Sequence, residues 1–272
     1  MKRLILAVML WVCTFALWAV PAKRITITVK QPDGTMLALT QRGDEHFHYL
    51  MTEDGIMVKP NGKAYYYADI VDGNIVASRH LAHTSSLRSN DELRIVESLP
   101  KMKQFREVAI QRQKAMQHSR APQKVAEVPS TGEVRVPVLL VQYSDVKFSS
   151  NDPKAAFEGH INGEDYKDEG GHGSVREYFV DQSEGKFKPQ FDIIGPITLS
   201  QTMKDYGGND ENGNDKNPRG MVKEACQKAD VDFSQYDNNG DGYVDIVYVI
   251  YAGYGEASYP DQLENTIWPH QW

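Results

Sequence analysis

Two stretches of this 272-residue chain are apolar at almost every position, and they constrain its fold more than any other feature. Residues 136–143 read VPVLLVQY and residues 243–252 read YVDIVYVIYA. A strand that buries one face alternates apolar with polar side chains, whereas a continuous apolar run belongs to a sheet covered on both faces. Helical patterns separate the two runs. Ser174 is placed to cap a helix over 175–182, and Met221, Val222, Ala225, Cys226 and Ala229 form one stripe of a helix over about 219–229. Residues 191–199 are extended around Gly195-Pro196. The second half of the chain is therefore predicted to form an α/β or α+β layer. Cys226 lies on the apolar stripe, so it reads as a small core residue rather than a reactive thiol.

The first half follows a different pattern. Ile25, Ile27 and Val29 alternate, and turn signals recur at Pro32-Asp33-Gly34, Asp54-Gly55, Asn61-Gly62 and Asp72-Gly73. Such spacing predicts consecutive β-hairpins, with Tyr65-Tyr66-Tyr67 and Ile70-Val71 in half-buried strands. His46 and His48 share one face if that segment is a strand, but as a metal pair they lack a nearby third ligand. From Ser89 the pattern turns helical. Ser89 and Glu92 are spaced as a capping box, Pro100 interrupts, and 102–118 is a second helix. Residues 101–124 hold seven basic side chains and one acidic one, and 122–132 is loop-like. Together they make a linker suited to proteolytic nicking.

At the start, Lys2 and Arg3 precede an apolar run over 4–19, and Val20-Pro21-Ala22 supplies a cleavage site. This is the pattern of an export signal. A retained anchor is the alternative, against which the run is short for a spanning helix. Lipidation at Cys13 is disfavoured by bulky Val12 before it. With the signal removed Cys226 is the only cysteine, so an exported chain has no intrachain disulfide and needs another staple, usually a metal ion. A net charge of −7 with no dense Lys/Arg face argues against nucleic acid as a partner. Residues 23–132 carry 16 basic and 12 acidic side chains, and residues 133–272 carry 12 and 25. Two units of opposite charge could attract each other, chance segregation of solvated charge being the alternative.

One loop is rich in oxygen ligands. Asp237, Asn239, Asp241 and Asp245 fall at positions one, three, five and nine, with Gly242 at six and the Tyr243 carbonyl at seven. Position twelve is Tyr248 rather than Glu, and a strand pattern follows, so this is no helix–loop–helix sensor. Two readings stay open: a Ca2+ loop closed by another carboxylate, and a run of hydrogen-bonded Asx turns. Residues 210–217 are also polar but more poorly spaced, and read as a plain loop.

Taken in order, several segments resemble the immune inhibitor A-like family of secreted zinc metalloproteases: VPVLLVQYSD (136–145), SVREYF (174–179), FDIIGP (191–196), YGGN (206–209), the 237–245 loop, YAGYGEA (251–257) and IWPH (267–270). The similarity covers about residues 134–272, and residues 23 to about 130 look like the pro-region ahead of such domains. The resemblance implies an α+β architecture: signal peptide 1–22, β-hairpin-rich pro-region 23–100, basic helix and linker 101–132, and the N-terminal part of a zincin-like domain, a mixed sheet with covering helices, over 133–272. It also implies a Zn2+-dependent endopeptidase acting on protein or peptide substrates, a pro-region that shields the cleft until cleavage between about Arg120 and Arg135, and secretion with cell-surface retention as a variant.

Zinc chemistry in that family needs His-Glu-x-x-His on a helix, two imidazoles binding the metal and the Glu activating water. None of the eight histidines here (His46, His48, His80, His83, His118, His160, His172 and His270) belongs to such a motif. In the family the zinc helix follows the Trp-Pro-His-x-Trp segment, so the expectation is a fragment ending upstream of its active site, without catalytic residues or zinc ligands. His172 and His270 read as surface or packing residues, and Glu256 takes no catalytic role from spacing. Two alternatives are a non-catalytic secreted calcium-binding or adhesion module (a pseudoprotease) and a pro-domain inhibiting a related protease in trans.

Overall fold

The computed structural model describes residues 22–44, 47–118, 128–167, 170–210, 214–258 and 265–269, with the side chains of 116–118 excepted. Residues 1–21 of the expected export signal (1–22), His46, most of the linker (119–127), His270 and Trp272 lie outside the described residues. The chain divides into two compact units. One comprises 1–115 with 257–261 and 268–272, the other 116–256 with 262–267.

The first unit is an antiparallel meander of six strands in chain order: β1 Thr26–Lys30, β2 Met36–Gly43, β3 His48–Thr52, β4 Met57–Asn61, β5 Ala64–Val71 and β6 Asn74–Leu81. The hairpins turn at the expected Gly-bearing positions, where Gly34, Gly55, Gly62 and Gly73 all take positive φ. Cross-strand partners Gln41↔Leu50, Leu50↔Val58 and Val58↔Tyr67 set a buried row across the sheet. Two helices follow, α1 Asn90–Ser98 and α2 Met102–His118. Phe105 of α2 is buried against Met57, Ala68 and Ile75. Ser89 caps α1 by accepting from the Glu92 N–H, but Glu92 does not close the expected capping box. Its carboxylate is engaged by Tyr67 and His83 instead.

The second unit is a parallel three-stranded sheet in the order β8-β7-β9, with β7 Gly132–Gln142, β8 Phe187–Thr198 and β9 Tyr248–Tyr251. Helices α3 Pro153–Asn162, α4 Val175–Gln182, α5 Met203–Gly207 and α6 Pro218–Lys228 accompany it. The apolar run of β7 divides cleanly between two cores. Val134, Val136, Val138 and Leu140 pack with Ile161, Phe191 and Ile193, while Leu139, Val141 and Tyr143 pack with Met203, Tyr206, Met221 and Ala225. Cys226 packs partly buried against the latter core, where burial pushes its thiol pKa up. The α+β class expected from sequence is therefore observed, with a β-rich N-terminal region.

One strand is shorter than its sequence pattern. Residues 243–247 are not part of β9, because this segment is anchored to the loop before it: the Tyr243 N–H donates to Asp241 Oδ1 and the Asp245 N–H to Tyr236 O. Helices α3 and α5 are additional to those expected. Each starts at a side-chain cap, Asp152 with Pro153 at the first position and Thr202 with Asp205 in a reciprocal box.

Candidate functional site

The oxygen-rich loop follows a short 3-10 turn, Phe233–Tyr236, and is folded around its own side chains. Asp237 accepts from the Asp241 N–H at 3.0 Å and the Gly242 N–H at 2.8 Å. Asn239 Oδ1 also accepts from the Asp241 N–H, and Asp241 Oδ1 from the Tyr243 N–H, both at 3.0 Å. Gly240 and Gly242 take positive φ, which the reversal requires. Asp245 is almost wholly buried. Its Oδ2 accepts from the Asn238 N–H and side-chain amide, while Oδ1 is buried with no hydrogen-bond donor. Tyr243 projects its ring into solvent.

These bonds make a run of Asx turns, and they do not exhaust the acceptors, since a carboxylate oxygen offers two lone pairs. Among the described residues no group of three or more His, Cys, Asp or Glu side chains is gathered as a metal site. His48 stacks on Trp268 with ring centroids 4.2 Å apart, His160 packs edge-on against Tyr166, and His172 is exposed. The donors among the described residues do not fit catalytic zinc.

A second polar cluster lies in the same unit, built from segments 206–209, 215–217, 251–256 and 266–267. Gly207 packs so closely on Thr266 and Ile267 that a Cβ there would stand 2.6 Å from the Thr266 carbonyl carbon. The Ile267 carbonyl accepts from the Tyr251 hydroxyl at 2.9 Å and the Glu256 N–H at 3.1 Å. Asn209 donates its side-chain amide to Glu256 Oε1 at 3.1 Å and bridges Asp215 through the backbone. Burial, reinforced by the charge of Asp215 against the Asn209 hydrogen bond, pushes the Glu256 pKa up to about 8. The hydroxyls of Tyr143 and Tyr251 are raised well above the usual tyrosine range, chiefly by burial and then by neighbours that include Asp215. Sequence reasoning assigned residues 210–217 to a plain loop and missed Asp215. The available signal was the Asp-Lys-Asn-Pro run (215–218), in which Asn217 caps α6.

Comparison with known proteins bears on segments of both clusters. The catalytic domain of immune inhibitor A peptidase M6 matches residues 125–272, more than half of the chain. The chain belongs to this peptidase family. A curated relative, Immune inhibitor A of Bacillus thuringiensis subsp. alesti, is 31% identical over 180 residues, covering 52% of this chain and 26% of the relative. The chain thus spans about a quarter of the length of that relative. Membership makes it a member of a metalloprotease family and implies zinc for the full-length protein. Among the described residues no helix is long and apolar enough to cross a membrane.

Proposed function

We propose that this chain is the pro-region and front part of the catalytic domain of a secreted zinc-dependent metalloendopeptidase, with a structural calcium ion held by Asp237, Asn239, Asp241, the Tyr243 carbonyl and Asp245. The family match over residues 125–272 carries the peptidase reading. The proposed divisions are a signal over 1–22, the pro-region over 23–100, a basic helix and linker over 101–132, and the catalytic segment from 133. Activation would cut the linker after Arg120 or Lys124 rather than at Arg135, since Arg135 sits inside β7, paired with Gln190 of β8. The pro-region would contact and shield the catalytic domain until then.

Calcium fits the donors of the loop better than a softer metal does. All are oxygens at the spacing of a calcium loop, and Asp245 keeps one buried carboxylate oxygen without a donor. The ion would supply charge neutralisation and a rigid loop beneath β9; it takes no part in peptide hydrolysis.

The test of the peptidase reading is hydrolysis of a denatured protein by the complete secreted gene product. Activity lost to a zinc chelator and restored by zinc supports it. A second reading is a non-catalytic calcium-binding or adhesion module, supported by the oxygen side chains at calcium-loop spacing over residues 237–245. Inert secreted protein that still binds calcium would select it.

A further inference from the structure

In the first unit a single imidazole holds two elements to the sheet. The ring of His83 lies between two carboxylates, with Nδ1 2.8 Å from Glu92 Oε1 and Nε2 2.8 Å from Asp33 Oδ2. Glu92 belongs to the first turn of α1 and Asp33 to the turn between β1 and β2. The charged and titratable groups that shift His83 or bond to its partners form one network. From β5, the Tyr67 hydroxyl donates to Glu92 at 2.6 Å and accepts from the His83 N–H at 3.1 Å. Ahead of α1, Arg88 donates through Nε to the Tyr67 hydroxyl and the His83 carbonyl, and its Nη atoms clamp Asp54 of the β3–β4 turn.

A neutral imidazole carries one N–H and one lone pair, whereas an imidazolium carries two N–H groups. Only the protonated ring can donate to both carboxylates. Loss of the proton turns a lone pair onto a carboxylate oxygen at 2.8 Å, so that one of the two contacts must open. We propose that His83 is a proton-operated latch that fastens α1 and the β1–β2 turn to the N-terminal sheet when charged and releases one of them when neutral.

Electrostatics favour the closed form. Burial pulls the His83 pKa down, but its hydrogen bonds and the charges of Asp33 and Glu92 outweigh that and leave it raised. Asp33 is held down to about 2, first by Thr35 and then by His83, so it stays ionised through the working range. With a raised histidine, the stabilisation is complete below pH 6.5 and is lost as pH climbs through the folded-state value. The latch is thus closed in acid and opens on the alkaline side. Helix α1 leads directly into α2 and the basic 101–124 segment, so alkaline release would loosen the connection ahead of the linker.

The experiment is a long-range proton–nitrogen NMR titration of the histidine rings in the complete chain, run beside thermal melts at pH 6 and pH 9. His83 should titrate above 6.5, with both ring nitrogens protonated below its midpoint, and Asp33→Asn should lower that midpoint. Melting of the N-terminal unit should fall by about 4–8 °C between the two pH values, and His83→Gln should flatten the fall. Titration of His83 at or below 6.5, or an unchanged midpoint in Asp33→Asn, would overturn the latch. Should His83→Gln fail to fold, the wild-type titration and the Asp33→Asn shift decide by themselves.

Discussion

The side chain of Asn238 pairs with the backbone of Arg135 as though it were a neighbouring strand. Its Oδ1 accepts from the Arg135 N–H at 2.8 Å and its Nδ2 donates to the Arg135 carbonyl at 3.0 Å. The same amide donates to Asp245 Oδ2 at 2.8 Å. One residue therefore ties the oxygen-rich loop to β7 and positions the buried carboxylate of Asp245. Asn238→Ala removes these three hydrogen bonds and a longer fourth to the Tyr236 carbonyl, in a part-buried setting where each contributes about 1 kcal/mol or less. Chemical denaturation should show a loss of about 2–3 kcal/mol, and Asn238→Asp, which sets an oxygen against the Arg135 carbonyl and the Asp245 carboxylate, should lose at least as much.

If the loop holds calcium, the ion stabilises the folded chain by mass action, about 2.7 kcal/mol when free calcium is one hundred times its dissociation constant. Chelation should accordingly lower the melting temperature. Asp241→Ala removes the position-five carboxylate and one Asx turn, and should abolish the response to chelator. A variant that still melts lower in chelator by the wild-type increment would leave the loop as Asx turns only.

Much of this was legible in the sequence where local chemistry decides. Four of the hairpin turns take positive φ at a glycine, Gly34, Gly55, Gly62 and Gly73, and the sequence marks each of those four. Helix α4 begins where Ser174 and Glu177 can cap each other, and both bonds form. The doubly buried β7 was written as an unbroken apolar run. Long-range choices were not readable. Glu92 stands at capping-box spacing from Ser89, yet its carboxylate goes to Tyr67 and His83, residues that only the folded sheet brings near. Likewise, Asp215 and Glu256 are 41 positions apart in the sequence, and no periodicity relates them.

Glu256 should make stability fall with rising pH. Its folded-state value of about 8 lies above the ordinary 4.5, so the folded chain keeps a proton that the unfolded chain releases across that interval. The unfolded state binding fewer protons, the contribution of Glu256 to stability declines from pH 4.5 to 8 and is level on either side. Glu256→Gln keeps an acceptor for Asn209 and cannot ionise. It should remove the decline and stabilise the chain above pH 8 by on the order of several kcal/mol, read from urea midpoints at pH 5 and pH 8.5.

Two glycines in helices of the second unit should respond in opposite directions to the same substitution. At Gly207 in α5 a methyl group would stand 2.6 Å from the Thr266 carbonyl carbon and 2.7 Å from the Ile267 N, which are backbone atoms with no rotamer to escape into. The Ile267 carbonyl is also fixed by Tyr251 and Glu256, so the 266–267 segment cannot retreat without breaking those bonds. Gly207→Ala should cost about 1–3 kcal/mol. At Gly159 in α3 the nearest atom to an added Cβ is the Tyr166 ring at 3.7 Å, an ordinary contact. There Gly159→Ala should gain about 0.5–1 kcal/mol through helix propensity and a less flexible unfolded chain. Equal melting shifts in the two variants would mean that Gly207 is not held against 266–267 in solution.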